Sequence, residues 1–96
     1  MIDVNISHAQ EVIKKLNPTF DTHDFIEQLS KDFERKYVDV ICEHRKDVHI
    51  FMSAHAAIGR FLSNEAKKLK IEKQSDRLSS RNIKGYKSPN QKWRKL

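Results

Sequence analysis

The chain of 96 residues is short of several residue types, and each shortage limits what the protein can be. A single cysteine, Cys42, excludes an internal disulfide, so a reducing cytoplasm is the expected compartment. Two glycines and two prolines leave few hinges and no glycine-rich phosphate loop. No apolar run approaches the roughly 18 residues that cross a bilayer. The opening residues, Met-Ile-Asp-Val-Asn, lack the basic and apolar segments of a secretory signal.

The apolar residues that are present recur with helical spacing, as in a small soluble domain. Hydrophobic residues make up 38% of the chain and charged residues 33%, and Ile, Val, Leu and Phe lie in periodic order over the first 71 residues. A chain of this length is near the size at which one hydrophobic core is sufficient. We therefore predict a single domain over residues 1–96.

Capping residues predict where the first two helices begin. Ser7 and Gln10 have the spacing of a capping box, which places the start of the first helix at Ser7. Asp21 predicts the start of the second helix, because its side chain can accept backbone amides. An apolar residue at every fourth position then predicts one long amphipathic helix, straight or kinked, that reaches about Glu43 or His44.

The third helical segment extends from about Val48 to Leu69, and Ser53 and Ser63 are good capping residues inside it. We favour a restart at Ser53 over an uninterrupted helix. After Ile71 the helical spacing fades, and the remaining residues, 72–96, are predicted to form a β-hairpin or ordered arm, with a disordered basic tail as the alternative. The predicted fold class is therefore mainly α with a C-terminal β-hairpin.

Turn residues and one tryptophan support the ordered form of this arm. Turns are predicted at Lys84-Gly85 and at Ser88-Pro89-Asn90. Trp93 is predicted to lie in the core, where it would tie the arm to the rest of the domain.

Basic residues are concentrated in the last 38 residues of the chain. From Gly59 to Leu96 there are twelve Lys or Arg and three acids, a net charge of +9, whereas residues 1–58 have a net charge of −3. A positive field at one end of a protein attracts polyanions, because each neutralised phosphate releases condensed counterions. A charged surface that only keeps the protein soluble is the plain alternative.

Three helices followed by a basic hairpin resemble the winged-helix DNA-binding domains. Residues 19–26, Thr-Phe-Asp-Thr-His-Asp-Phe-Ile, are similar to a capped helix start of such modules. Residues 53–62, Ser-Ala-His-Ala-Ala-Ile-Gly-Arg-Phe-Leu, resemble their recognition helix, and residues 72–96 resemble the wing. The predicted second helix is longer than is usual in that family. The resemblance implies a helix-turn-helix fold and DNA binding.

Candidate nucleic-acid-binding residues fall in two groups. The exposed face predicted for the third helix combines small residues, which permit close approach, with basic and amide side chains: Ala56, Gly59, Arg60, Ser63, Asn64, Lys67 and Lys70. The predicted hairpin offers side chains that would follow a phosphate backbone, and an aromatic ring that can stack on a base: Arg77, Arg81, Lys84, Tyr86, Lys87 and Lys92.

Other functions find less support in the sequence. Cys42, His44, His49 and His55 are close in sequence, but their spacing matches no strong metal template. No nucleophile elbow or zinc-protease motif is present, so neither catalysis, a cofactor nor a metal is predicted. The alternative function is a protein-interaction module, an adaptor or inhibitor that binds an acidic partner. A homodimer is a further option, because a long second helix carries more apolar surface than a small domain covers.

Overall fold

Five helices and three strands follow one another in the part of the chain that the structure describes. The structure is a computed structural model that describes residues 5–81 and 87–96, and only the backbone of residues 76–81 and 87–89. The helices are α1 (Ile6–Lys14), α2 (Thr22–Asp32), α3 (Glu34–Glu43), α4 (Ile50–Asn64) and α5 (Ala66–Leu69). The strands are β1 (Thr19–Asp21), β2 (Ile71–Arg81) and β3 (Lys87–Lys95), in the sheet order β1-β3-β2. Among the described helices, none is long and apolar enough to cross a membrane.

The early strand β1 corrects the predicted order of three helices followed by a hairpin. Thr19, Phe20 and Asp21 pair antiparallel with Arg94, Trp93 and Lys92 of β3. A strand of three residues is too short to show an alternating pattern, and the same residues carry the capping signal of the next helix. The strand therefore depends on a partner more than 70 residues away, which no local pattern reveals. The fold is a mainly helical small globule with a three-stranded antiparallel sheet.

The strands β2 and β3 form an antiparallel pair within the segment predicted to be a hairpin. The predicted turn at Ser88-Pro89-Asn90 is wrong, because these residues lie inside β3 and pair with β2. Among the described residues, β1 pairs only with residues 92–94 of β3. The edge of β3 that faces away from β2 is therefore unpaired at Pro89, and a proline is tolerated there. The pairing shifts between Lys73 and Arg77, an irregularity that bends the strand. The predicted turn at Lys84-Gly85 lies outside the described residues.

The predicted long second helix is two helices, α2 and α3, which are separated at Phe33. This residue has φ −134° and ψ 57°, outside the helical region. The break allows the ring of Phe33 to pack on His8 of α1, with 4.7 Å between ring centroids. Tyr37 and Val40 of α3 are buried in the same core. The apolar spacing continues from Phe33 to Tyr37 across the break, so the spacing alone does not show that one helix ends and another begins there.

The capping predictions have mixed outcomes. The first helix is capped two residues before Ser7, because Oδ1 of Asn5 accepts the His8 N–H at 2.8 Å. The second start is confirmed, since Oδ1 of Asp21 accepts the Asp24 N–H at 2.8 Å. The Asp21 N–H in turn donates to Oδ2 of Asp24 at 3.1 Å, which completes a capping box.

The helix α4 is continuous through Ser53, so the predicted restart at that residue is wrong. The Ser53 N–H donates to the His49 carbonyl oxygen at 3.0 Å, which is a helical hydrogen bond. The interruption comes later, at Glu65, before the four-residue helix α5. α5 ends at Lys70, which has φ 57° and ψ 48° in the left-handed region.

Trp93 is in the core, as predicted, and it fixes β3 to the first turn of α2. Its side chain is 1% exposed, and its indole N–H donates to the Thr22 hydroxyl at 3.1 Å. The Thr22 hydroxyl donates to the Gln91 carbonyl oxygen at 3.3 Å, and Oδ1 of Asn90 accepts the His23 N–H at 3.0 Å. Each helix and strand contributes at least one apolar side chain to the core that surrounds this junction.

We expect Thr22→Val to lower the free energy of unfolding by about 1–3 kcal/mol, because it leaves the buried indole N–H of Trp93 without an acceptor. Urea denaturation measures this change. The control Thr22→Ser keeps the hydroxyl and loses only a methyl group, worth about 0.8 kcal/mol. If Thr22→Val were no less stable than Thr22→Ser, the hydrogen bond would not stabilise the junction.

Candidate nucleic-acid interface

A groove of about 520 Å³ lies between α4, the first turns of α2, and the strands β2 and β3. The α4 side is formed by His55, Ala56, Gly59, Arg60 and Ser63. The opposite side is formed by Thr22, His23, Ile26, Lys73, Asn90 and Gln91. We call this cleft the α4 groove. The hydrogen bonds that join α2 to β3 also hold its far wall in place, because Thr22, His23, Asn90 and Gln91 take part in them.

One wall of the groove is a face of α4, the helix within the third predicted helical segment. The sequence predicts that this face is exposed. Ile58 and Leu62 are fully buried in the core, as their spacing predicts. Ala56, Arg60 and Ser63 are exposed on the other side of the same helix. Small residues therefore bring the backbone of α4 within reach of a ligand, and Arg60 adds a positive charge beside them.

Gly59 has no side chain that would fill the groove at this wall. The packing around the residue does not require a glycine. A Cβ atom built on Gly59 would lie 3.9 Å from Cγ2 of Thr22, an ordinary van der Waals distance. The residue is in the interior of α4, where glycine destabilises a helix by about 0.5–1 kcal/mol relative to alanine. The absence of a side chain therefore opens the groove at some loss of stability.

The cations on α1 and α2 are largely neutralised by neighbouring carboxylates. The nitrogen-to-oxygen distances are 3.5 Å, 3.1 Å and 3.2 Å for the pairs Lys14–Glu11, Lys15–Asp32 and Lys31–Glu27. Paired and solvated charges of this kind contribute little to a long-range field.

The cations beside the groove have a different environment. Arg60, Lys67, Lys70 and Lys73 are exposed, and within the described part of the chain none has a carboxylate at ion-pairing distance. Lys68 and Arg94, in the same region, are paired with Glu65 and Glu72 at 3.7 Å and 3.0 Å. The uncompensated positive charge of the described residues in this region thus lies along α4, α5 and the start of β2.

Lys73 is oriented by the tryptophan that anchors the sheet. Its Nζ atom lies 6.0 Å from the centroid of the Trp93 ring, at the outer limit of a cation–π contact. Lys73 pairs with Trp93 across the two strands and lines the groove opposite Arg60. The two cations therefore approach the groove from different walls, one from the sheet and one from α4.

Two histidines line the groove, and one of them is held by a buried tyrosine. The hydroxyl oxygen of Tyr37 lies 2.8 Å from Nε2 of His55, which ties α3 to α4. Burial raises the pKa of Tyr37 above its usual value, so the phenol keeps its proton and can donate to a neutral imidazole. His23 lies in the first turn of α2, on the other wall. Imidazole, amide and hydroxyl groups thus accompany the two cations.

The structure brings only some of the predicted residues to the groove. Arg60 lines it, and Asn64, Lys67 and Lys70 are exposed further along α4 and α5. Lys92 is half-buried on β3, opposite Asp21 in the register. Three predicted residues have a described backbone position only, with Arg77 opposite Gln91 and Arg81 opposite Lys87. Lys84 and Tyr86 lie outside the described residues.

Sequence reasoning missed Lys73, His23 and His55 as groove residues. Lys73 was visible only as one of many basic residues, and His23 only as a residue of a capped helix start. The β1-β3-β2 sheet brings them together, and it depends on long-range pairing. The net charge of a sequence segment does not show which of its side chains line the same wall of the groove.

The cysteine and histidines of the middle segment do not gather into a ligand set. Among the described residues, no three or more His, Cys, Asp or Glu side chains form a group that could hold a metal ion. Cys42 is exposed and is a free thiol.

Comparison of the chain with protein-family models, curated proteins and solved structures finds no match. Inferences about function therefore depend on the groove and on the charges around it.

We expect Gly59→Ala to raise the free energy of unfolding by about 0.5–1 kcal/mol, because the methyl group meets only an ordinary contact and alanine favours the helix. Thermal or urea unfolding measures the change. Destabilisation by this substitution would mean that the wall has no room for a methyl group.

Proposed function

We propose that the protein binds nucleic acid, double-stranded DNA in preference to RNA, through the α4 groove and the basic residues beside it. The observation that carries this proposal is the contrast between the paired cations of α1 and α2 and the unpaired ones at the groove and along α5. Arg60 and Lys73 in the groove, and Lys67 and Lys70 along α5, have no described carboxylate at ion-pairing distance, so their field is available to phosphates. Each phosphate they neutralise releases counterions and favours binding.

The shape of α4 suits a helix that enters a DNA groove. It has 15 residues, and its exposed face has small side chains at Ala56 and Gly59 and a basic one at Arg60. Arg60 and Asn64 are four residues apart and therefore lie on the same face. Arginine and asparagine make the bidentate contacts that distinguish guanine and adenine in the major groove. In this proposal α4 supplies any sequence preference and the lysines of α5 and β2 contact phosphates.

The resemblance to winged-helix domains assigns roles to the elements of this proposal. Strand β1, which pairs with β3, is an element that the resemblance does not predict. The chain also has five helices before β2 where the resemblance predicts three, because the predicted second helix is divided into α2 and α3 and α4 is followed by the short α5. In our proposal α4 is the recognition helix, and β2 and β3 form the wing.

We expect the double variant Arg60→Ala/Lys73→Ala to bind duplex DNA more weakly, because it removes one cation from each wall of the groove. The slope of log K against log salt concentration should fall in magnitude by about 0.9 for each phosphate that the variant no longer neutralises. Fluorescence anisotropy with labelled duplex DNA at several salt concentrations measures both quantities. Single-stranded RNA of equal length serves as the competing ligand.

The matched control is Lys14→Ala/Lys31→Ala, which removes the same charge from ion-paired positions on α1 and α2. It should bind as the unaltered protein does. An equal loss in both variants would show that net charge, and not the groove, governs binding. No binding of either nucleic acid at about 50 mM salt would overturn the proposal and favour an acidic protein as the partner.

Lys70→Gly should weaken DNA binding while it stabilises the protein. A side chain in the left-handed region costs roughly 1–2 kcal/mol, and glycine removes this cost. The substitution also removes one of the unpaired cations. Urea unfolding and the anisotropy titration together test the two opposite effects. DNA binding equal to that of the unaltered protein would exclude Lys70 from the interface.

A further inference from the structure

Four exposed apolar side chains lie near the corner between α3 and α4, on residues that the proposed DNA interface does not use. They are Val38, Val48, Phe51 and Met52, which are 46%, 91%, 38% and 69% exposed. The Tyr37–His55 hydrogen bond joins the two helices here, and the Phe51 ring packs edge-on against His55 at 5.9 Å. Val38 is next to Tyr37 in the sequence of α3, Met52 is next to Phe51 in that of α4, and Val48 lies in the connection, so all four residues belong to the helices and the connection that this hydrogen bond joins. We call these four residues the corner patch.

The charges of the segment that carries Val38 and leads to Val48 balance one another. Residues 34–47, which comprise α3 and most of the connection to α4, contain four acidic and four basic side chains, while the whole chain has a net charge of +6. Two copies of a basic protein repel each other across most pairs of surfaces. A neutral segment with both signs allows a second copy to approach, because acids of one copy can face bases of the other.

We propose that the corner patch is the contact between two copies of this chain. A two-fold contact places the same surface on both partners, so it must be complementary to itself. An apolar centre flanked by equal numbers of acids and bases meets this requirement, whereas a partner of one charge would favour flanks of the opposite charge. Only Val38 of these four residues belongs to the predicted long second helix, so most of the exposed apolar surface lies on the connection and on α4.

The size of the patch sets the strength of this association. Stable interfaces bury about 800 Å² on each partner, more than four partly exposed side chains supply. We therefore expect a weak dimer with a dissociation constant on the order of 100 µM. The association does not require nucleic acid, so its test is independent of the proposed function.

Sedimentation velocity of the DNA-free protein from about 10 µM to about 1 mM tests the proposal. The sedimentation coefficient should rise with concentration toward that of a dimer. Met52→Glu should weaken the association at least about tenfold, because each copy would bring a charge into an apolar contact. The control Leu96→Glu places the same charge on a residue that is 71% exposed, outside the patch, and it should dimerise normally.

A second variant outside α4 distinguishes a weakened dimer from a folding defect at the start of that helix. Val48→Glu changes a residue of the connection that is 91% exposed, and it should also weaken the dimer. Circular dichroism confirms that each variant keeps its helices. A sedimentation coefficient that stays monomeric up to the highest concentration would overturn the proposal. Equal weakening by Leu96→Glu would also overturn it, because the effect would then come from charge alone.

Discussion

The burial of Trp93 against Thr22 is the interaction on which the rest of the structure depends. The two residues are 71 positions apart, and their hydrogen bond fixes the last strand to the first turn of α2. This contact seats β3 between β1 and β2, and it places Asn90 and Gln91 beside His23. The α4 groove consequently has a second wall. Without the junction, α4 would present only an exposed helix face, and Lys73 would have no fixed position opposite Arg60.

Two residues near the basic surface are unfavourable choices for stability alone. Gly59 occupies a helix interior where alanine fits, and Lys70 occupies a left-handed position where glycine fits. Alanine in place of Gly59 and glycine in place of Lys70 would each stabilise the fold, so local stability does not explain either residue. Under the proposed function, Gly59 leaves the groove open to DNA, and Lys70 at the end of α5 supplies one of the unpaired cations. Departures from local preference of this kind are expected where a surface serves binding.

Local signals in the sequence predicted local features of the fold. The Asp21 capping box, the buried and exposed faces of α4 and the core position of Trp93 each depend on neighbouring residues or on the size of one side chain. The break at Phe33 and the strand β1 depend on packing and pairing with distant segments. At Ser53 a local signal predicted a helix start that does not exist, because the capping preference of serine is weaker than the hydrogen bonding of a continuous helix. Arg60 was predicted in the site, while Lys73 and His23 required the sheet to bring them there.

The most direct test of the account is a nuclear magnetic resonance titration of the isotope-labelled protein with duplex DNA. The account predicts that the largest backbone amide shifts occur at Ala56, Gly59, Arg60, Ser63 and Lys73, which line the two walls of the groove. The amides of α1 should shift little, because its basic side chain Lys14 is paired with Glu11. Shifts concentrated on α1 to α3, with α4 and Lys73 unaffected, would contradict the claim that the α4 groove binds nucleic acid.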